Sequence, residues 1–351
     1  MRLFRFLYCA LLLHVGMGAS FVLPLVREGA GHQASLVFGL YFGAIVLAEL
    51  VTYYVAAIRH WRYGVPASAV VYMASFVIMA TVAPPGGLVI GRVIEGLAIG
   101  VRVPLLFRDA MTSDPKSRDR MLVAMGSLYA VGYVTGPFVA DLALSALPRG
   151  TALVVFGSVS LLISVAMEAF RPGGVGLEHE EPADAPPLHR FTLLFVAKFF
   201  YGFLLVSITA AGGPRLFADR LSIVFLGLAV VFTVGQSLAA RLVGRVPLGV
   251  LATWFASGLS LGCVAYGIWP GSATLIAVAF VHAGLYFIGQ RVVGLKPADS
   301  KTFALFSALS DPGSALGAIS GRLGTRGAFV VATVALVPIV LERARRTGAA
   351  D

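Results

Sequence analysis

The 351-residue sequence has few charged residues, since Asp, Glu, Lys and Arg together make up only 13% of it, whereas 58% is hydrophobic. Soluble domains have about twice that charged fraction, near 25%. A soluble domain could not cover so much apolar surface with polar side chains. The composition therefore excludes an ordinary soluble protein and predicts a protein whose solvent is the lipid bilayer.

Cysteine is also scarce. Cys9 and Cys263 are the only two, and both lie in apolar stretches, so the sequence predicts neither a disulfide framework nor a cysteine metal site. It also lacks a His-Glu-x-x-His zinc motif, a Gly-x-Ser-x-Gly nucleophile motif and a Walker-type phosphate loop. Despite a formal net charge of +10, no basic run is dense enough to indicate a nucleic-acid partner. We therefore expect no metal, no cofactor and no catalytic residue.

Long apolar stretches dominate what is present. A spanning helix needs about 20 mostly apolar residues, and basic or Pro-Gly segments such as 59–62 and 83–87 separate stretches of that length. The N-terminus, with Arg2 and Arg5 before an apolar run, also resembles a signal peptide, but the run continues to Val26, which favours a first span. We predict an all-α integral membrane protein with twelve spans: 3–26, 34–57, 65–83, 87–108, 121–144, 150–169, 190–211, 221–240, 247–268, 271–292, 302–321 and 326–343.

The loops between these spans set the expected orientation. If the N-terminus is cytoplasmic, most loop lysines and arginines fall on the cytoplasmic side, as the positive-inside rule requires. We therefore expect a multi-pass protein of the cell membrane with both termini in the cytoplasm. The one long polar stretch predicts a cytoplasmic linker at 171–189. It would separate an N-terminal six-helix bundle at 1–170 from a C-terminal six-helix bundle at 190–351.

Two motifs lie in neighbouring spans, Arg92-x-x-Glu95-Gly96 in span 4 and Gly132-x-x-x-Gly136-Pro137 in span 5. They resemble the span-4 motif of the major facilitator superfamily (MFS) and its span-5 motif, which is often associated with antiporters. The six-plus-six layout resembles the same family over nearly the whole chain. The resemblance implies two pseudo-symmetric bundles and a conformational motif at Gly132, Gly136 and Pro137, where small residues let helices approach closely. The loop after span 2 departs from the family pattern, because its basic residues have no accompanying aspartate.

Ionisable residues inside spans indicate function, because their burial is costly. The resemblance implies that spans 1, 4, 7 and 10 line a central cavity. Each residue also has a structural interpretation. Arg92 and Glu95 are three residues apart and could simply pair with each other, and Arg102 could extend to the membrane interface. His14 and His282 could be ordinary hydrogen-bonded core residues. The predicted substrate-binding residues in these spans are His14, Arg92, Glu95, Arg102, Lys198 and His282.

Three deep carboxylates, Glu49, Glu95 and Asp311, are the candidates for proton coupling, because burial favours the neutral form of a carboxyl group. Each could instead neutralise a nearby arginine. The excess of basic residues in the lining spans favours an anionic solute. The span-5 motif favours proton-driven efflux of drug-like compounds, so both interpretations stay open.

The sequence thus predicts a secondary active transporter of a small solute, embedded in the lipid bilayer and driven by a proton or solute gradient. Its task would be efflux or organic-anion transport, with the proton as co-ion or counter-ion. The alternative is an integral membrane enzyme acting on lipid or isoprenoid substrates. That alternative is suggested by the regular spacing of Asp109, Asp114 and Asp119, which could hold magnesium and a diphosphate.

Overall fold

The structure is a computed structural model, and it describes residues 2–30, 33–176, 191–209, 221–293 and 300–348. These residues form fifteen α-helices, and no β-strand occurs among them. The helices are α1 (Arg2–Phe21), α2 (Leu23–Ala30), α3 (Ala34–Tyr54), α4 (Ala56–His60), α5 (Gly64–Thr81), α6 (Gly86–Met111), α7 (Pro115–Ala146), α8 (Arg149–Ala169), α9 (Thr192–Thr209), α10 (Leu221–Leu242), α11 (Leu248–Ile268), α12 (Ser272–Val293), α13 (Ser300–Ser310), α14 (Pro312–Gly321) and α15 (Gly327–Gly348).

Each of the twelve predicted spans coincides with one helix or with two consecutive helices. Nine helical segments in the described part of the chain are long and apolar enough to cross a membrane. The other three predicted spans correspond to α6, which carries several charges, to the shorter helix α9, and to the pair α13 and α14, which meet at Asp311 and Pro312. The prediction of an all-α membrane protein is confirmed.

The helices form two compact units. The first contains α1, α2 and α4 to α8, most of α3, and α13 as far as Ala308. The second contains α9 to α12, α14, α15 and the first turns of α3. The predicted linker lies largely outside the described residues, which resume at 191 after 176, so the bundle boundaries stay a prediction.

In the first unit α1 packs along α7, and α5 packs on both α6 and α8. The contact between α1 and α7 is backbone against backbone. Gly132 faces the carbonyl of Leu13, and Gly136 faces that of Met17, so closely that a Cβ atom at either glycine would overlap the neighbouring helix. The hydroxyl of Ser20 also crosses this interface and donates to a carbonyl of α7. Small residues therefore permit the close approach. This is expected in lipid, where helix association depends on close packing because the hydrophobic effect does not drive it.

The second unit repeats this arrangement. Helix α9 packs along α14, and α11 packs on both α12 and α15. Gly313 faces the carbonyl of Phe195, and Gly317 faces that of Phe199, again with no room for a Cβ atom. Each unit therefore contains a helix pair held together by two glycines four residues apart beside a proline, namely Pro137 on α7 and Pro312 on α14.

Replacing Gly132 by alanine tests this contact. We expect Gly132→Ala to destabilise the protein by about 1–3 kcal/mol, the usual cost of overpacking, because the new methyl group meets the Leu13 carbonyl. Gly43→Ala is the matched control, since a Cβ atom there meets nothing within 4 Å. It should leave stability unchanged or raise it by about 0.5–1 kcal/mol. The apparent melting temperature of the purified protein is the measurement, and equal shifts for both variants would contradict the backbone contact.

Candidate functional site

Helix α6 carries the polar centre of the first unit. Arg92, Glu95 and Arg102 are spaced by three and seven residues, so their side chains leave the same face of the helix. All three are buried, with 1%, 0% and 0% of the residue exposed. Gly96 and Gly100 lie against backbone carbonyls of α3, so α6 approaches α3 closely at the level of these charges.

Arg92 is paired within its own helix. Its Nη1 donates to Oε2 of Glu95 at 2.7 Å, and its Nη2 donates to the carbonyl of Ala19 on α1 at 3.3 Å. Its Cζ lies 3.6 Å from the ring centroid of Tyr41 on α3, which is within the range of a cation–π contact. The positive charge of Arg92 is therefore balanced by Glu95 and surrounded by groups from two other helices.

Arg102 differs from Arg92 in its partners. Its Nε donates to the hydroxyl of Ser68 on α5 at 3.1 Å, and its Nη1 donates to that of Ser160 on α8 at 2.9 Å. Its Cζ lies 4.6 Å from the ring centroid of Tyr72 on α5. None of the carboxylates in the described part of the chain forms an ion pair with it. Arg102 is buried among helices rather than extended to the membrane interface, and it gives the three charged residues Arg92, Glu95 and Arg102 a net positive charge.

His14 on α1 lies beside the same tyrosine. Its Nε2–H donates to the carbonyl of Phe156 on α8 at 3.0 Å, and its ring packs edge-on against the Phe156 ring at 4.2 Å. The ring centroids of His14 and Tyr72 are 6.3 Å apart. Tyr72 is thus close to both the imidazole of His14 and the guanidinium of Arg102. We call His14, Tyr72, Arg92, Glu95 and Arg102 the polar core.

Several polar atoms of the polar core have no hydrogen-bond partner among the described residues. They include Nδ1 of His14, the hydroxyl of Tyr72, Oε1 of Glu95 and Nη2 of Arg102. A buried polar atom without a partner costs about 1–3 kcal/mol, and native structures contain few of them. A group of such atoms in one set of side chains favours a role that keeps them available to a ligand.

The predicted residues of the second unit form a separate group. Lys198 on α9 forms an ion pair with Asp311, which lies between α13 and α14. His282 on α12 is buried, and its Nε2–H donates to the carbonyl of Ala197 on α9 at 2.8 Å. The ring of Phe200 packs against the imidazole at 4.9 Å. His282 thus joins α12 to α9 one residue before Lys198.

Glu49 is the remaining proton-coupling candidate. It is buried on α3 of the first unit, one helical turn after Ile45, whose carbonyl faces Gly100 of α6. Its side chain therefore lies on the α3 face that packs against α6. Its role in coupling stays a prediction.

A second charged cluster, at the C-terminal end of α6, was not anticipated from the sequence. Asp109 is fully buried and accepts from Nη2 of Arg108 at 2.8 Å and from Nη1 of Arg171 at 2.7 Å. Arg108 also donates to the carbonyl of Arg59 in α4 at 2.6 Å. The carboxylate missing from the loop after span 2 is therefore supplied by α6.

Arg171 extends this cluster to α8. Its Nε donates to Oε2 of Glu168 at 2.6 Å, and Oε1 of Glu168 accepts from Arg62 at 3.0 Å. Burial opposes the charge of Arg171, but the carboxylates of Asp109 and Glu168 outweigh it and raise the pKa of its guanidinium. The spacing Glu168-x-x-Arg171 is the local signal that could have indicated this pairing.

Comparison with known structures identifies the fold. The chain is similar to the human organic anion transporter MFSD10 (TETRAN), with a TM-score of 0.67 and 14% sequence identity, over 97% of this chain and 99% of that chain. The chain has the major facilitator fold. Its sequence matches no family profile and no curated protein. The likeness is therefore one of fold.

The major facilitator fold confirms the architecture that the span count and the motifs around Arg92 and Gly132 predicted. The functional roles assigned to individual residues stay predictions. The structure does show which of them meet: the polar core contains four of the predicted residues and adds Tyr72, and Lys198 meets Asp311.

A double-mutant comparison tests the burial of the Arg92–Glu95 pair. Glu95→Leu leaves Arg92 as a buried charge without its carboxylate, and we expect a loss of about 3–5 kcal/mol. Arg92→Met combined with Glu95→Leu removes both charges and should recover most of that loss, since apolar residues of similar volume replace a buried pair at little cost. Melting of the purified variants is the measurement. A double variant less stable than Glu95→Leu would show that Arg92 is not held by Glu95.

Proposed function

We propose that this chain is a secondary active transporter of small organic anions that works by alternating access. The major facilitator fold supports a membrane transporter. The nine apolar segments in the described residues support a multi-pass membrane protein, and the distribution of loop lysines and arginines supports cytoplasmic termini.

The observation that carries the anionic substrate is the unbalanced charge of Arg102. A buried guanidinium without a paired carboxylate is costly, and the described side chains that contact Arg102 are two hydroxyls and a tyrosine ring, with no carboxylate in ion-pair contact. An anion would provide the missing charge and a partner for Nη2. Because Arg92 is already balanced by Glu95, Arg102 gives the polar core its net attraction for anions.

The similar human protein is an organic anion transporter, which agrees with this proposal. Proton coupling in the first unit is assigned to Glu95, because its protonation would release Arg92 from the carboxylate that it binds at 2.7 Å. Glu49, on the facing helix α3, is the second candidate for proton coupling in this unit. Coupling by either residue is part of the proposal.

The alternative enzyme would need the aspartates at 109, 114 and 119 to bind magnesium. The structure gives two of them other partners. Asp109 is held by Arg108 and Arg171, and Asp114 caps the start of α7 by accepting from the amide of Ser117 at 3.1 Å. These contacts favour the transporter over the enzyme.

Ligand-dependent stability tests the proposal. Purified protein is melted with benzoate, benzenesulfonate, succinate or the lipophilic cation tetraphenylphosphonium. We expect at least one anion to raise the apparent melting temperature, by a free energy of about 2.7 kcal/mol at 100 times its Kd, and we expect no effect of the cation. The stabilising anion should also be taken up by proteoliposomes that contain the protein.

Arg102→Met should abolish the response to the anion. Without ligand the variant should be as stable as the wild type or more so, because it removes a buried charge that no described carboxylate balances. Arg322→Met is the matched control, since it removes the same charge from an exposed position and should keep the response. Stabilisation by tetraphenylphosphonium alone would overturn the anionic substrate and favour efflux of drug-like cations.

A further inference from the structure

Two ion pairs of the described residues lie within the predicted spans, and they differ in accessibility. The side chains of Arg92 and Glu95 are 1% and 0% exposed, whereas those of Lys198 and Asp311 are 21% and 14% exposed. The first pair is sealed by the helices around it. The second pair is not: its two side chains are left partly exposed by the helices of their unit.

The carboxylate of Asp311 does not cap the helix that follows it. Asp311 precedes the first residue of α14, where an aspartate normally accepts hydrogen bonds from the helix amides. Here its side chain makes no capping hydrogen bond, and the following residue is Pro312, which has no amide proton. The amide of Ser314 bonds instead to the backbone carbonyl of Asp311 at 2.9 Å. The carboxylate is therefore committed to Lys198.

The helices that carry the pair are fixed in place. Gly202 on α9 faces the carbonyl of Ser314 on α14, and Gly313 and Gly317 face carbonyls of α9. With the two backbones in contact on either side of Lys198, the ammonium and the carboxylate can exchange partners while the helices stay together.

Asp311 is also an isolated acid. Between residues 191 and 341 the sequence has only three carboxylates, Asp219, Asp299 and Asp311, and Asp311 is the one within the described residues. Helices α14 and α15, as far as Leu341, contribute no titratable side chain against α9. Other titratable or charged groups lie on α9 itself, on the helices beside it and on α13, which precedes Asp311 in the chain. They are Tyr201 of α9, His282, Tyr286 and Arg291 of α12, Cys263 and Tyr266 of α11, and Lys301 of α13.

We infer that Lys198 and Asp311 form an exchangeable ion pair, in which a proton on Asp311 releases Lys198 to bind the carboxylate or sulfonate of an anionic solute. With Asp311 ionised, its carboxylate and the solute compete for one ammonium group. With Asp311 protonated, the ammonium donates to the solute instead. The proton resides on an oxygen of Asp311, no covalent bond of the solute changes, and the pair together with its bound proton and anion remains neutral.

This inference rests on the proposed function and deepens it, because it makes the proton a co-transported ion. Each ligand strengthens the binding of the other by the same factor, as linkage requires. A proton and an anion that bind together are released together. An inward proton gradient would therefore drive anion uptake through this pair, rather than efflux by exchange.

The test measures anion affinity against pH. Benzoate and benzenesulfonate are the probes, because both stay anionic between about pH 5.5 and 8, and their dissociation constants are obtained from melting-temperature titrations. For the wild type we expect affinity to fall about tenfold per pH unit on the alkaline side of the Asp311 titration. Asp311→Asn should lose this tenfold slope and should bind at least as tightly as the wild type at the acidic end.

Further variants separate this role from folding. Lys198→Met should lose the pH-dependent binding. The combination of Lys198→Met and Asp311→Leu removes both charges, so it should fold, and it should show no pH-dependent response to either probe. Asp141→Asn is the matched control, because it removes an exposed carboxylate from α7 and should keep the wild-type pH dependence.

The inference is overturned if Asp311→Asn retains the pH dependence, or if it binds neither probe. It is also overturned, with the proposed function intact, if the wild type binds an anion through Arg102 at an affinity that does not change with pH. If the wild type neither binds nor transports any of the anions, including succinate, the proposed function itself fails.

Discussion

A guanidinium inside a membrane-spanning helix must find its hydrogen bonds and its counter-charge among neighbouring helices, because lipid supplies neither. On helix α6, Arg92 and Arg102 are two such groups, and they connect much of the first unit. Arg92 contacts groups on α1 and α3, and Arg102 donates hydrogen bonds to hydroxyls on α5 and α8. Four helices thereby contact the arginines on one face of α6. The difference between the two arginines is that the first has a carboxylate partner and the second has none in the described part of the chain.

The span pattern could be predicted from the sequence because the length of an apolar stretch is a local property. The Arg92–Glu95 pair could be predicted for the same reason, since three residues bring two side chains to one face of a helix. The pairing of Lys198 with Asp311 follows from no local rule. It depends on the glycine contacts between α9 and α14, which join segments far apart in the chain.

Two residues show why local interpretation had limits. Predicted span 4 ends at residue 108 and leaves Asp109 outside it, but α6 continues to Met111 and Asp109 is buried. One interpretation had Arg102 extending to the interface, but hydroxyls at Ser68 and Ser160 hold it inside. In both cases the deciding partners come from other helices, and Arg171, which binds Asp109, is 62 residues away.

The glycine contacts also bear on how far such a sequence can drift. At Gly132, Gly136, Gly313 and Gly317 a backbone carbonyl lies where a Cβ atom would be, so a change in a neighbouring side chain alone cannot make room for a larger residue. Lipid-facing positions of the same helices need only remain apolar, and many residue types meet that need. A lineage can therefore replace most of its sequence while these few points hold the helix pairs in register. Such a division between fixed and free positions agrees with a fold that this chain shares with another at 14% sequence identity.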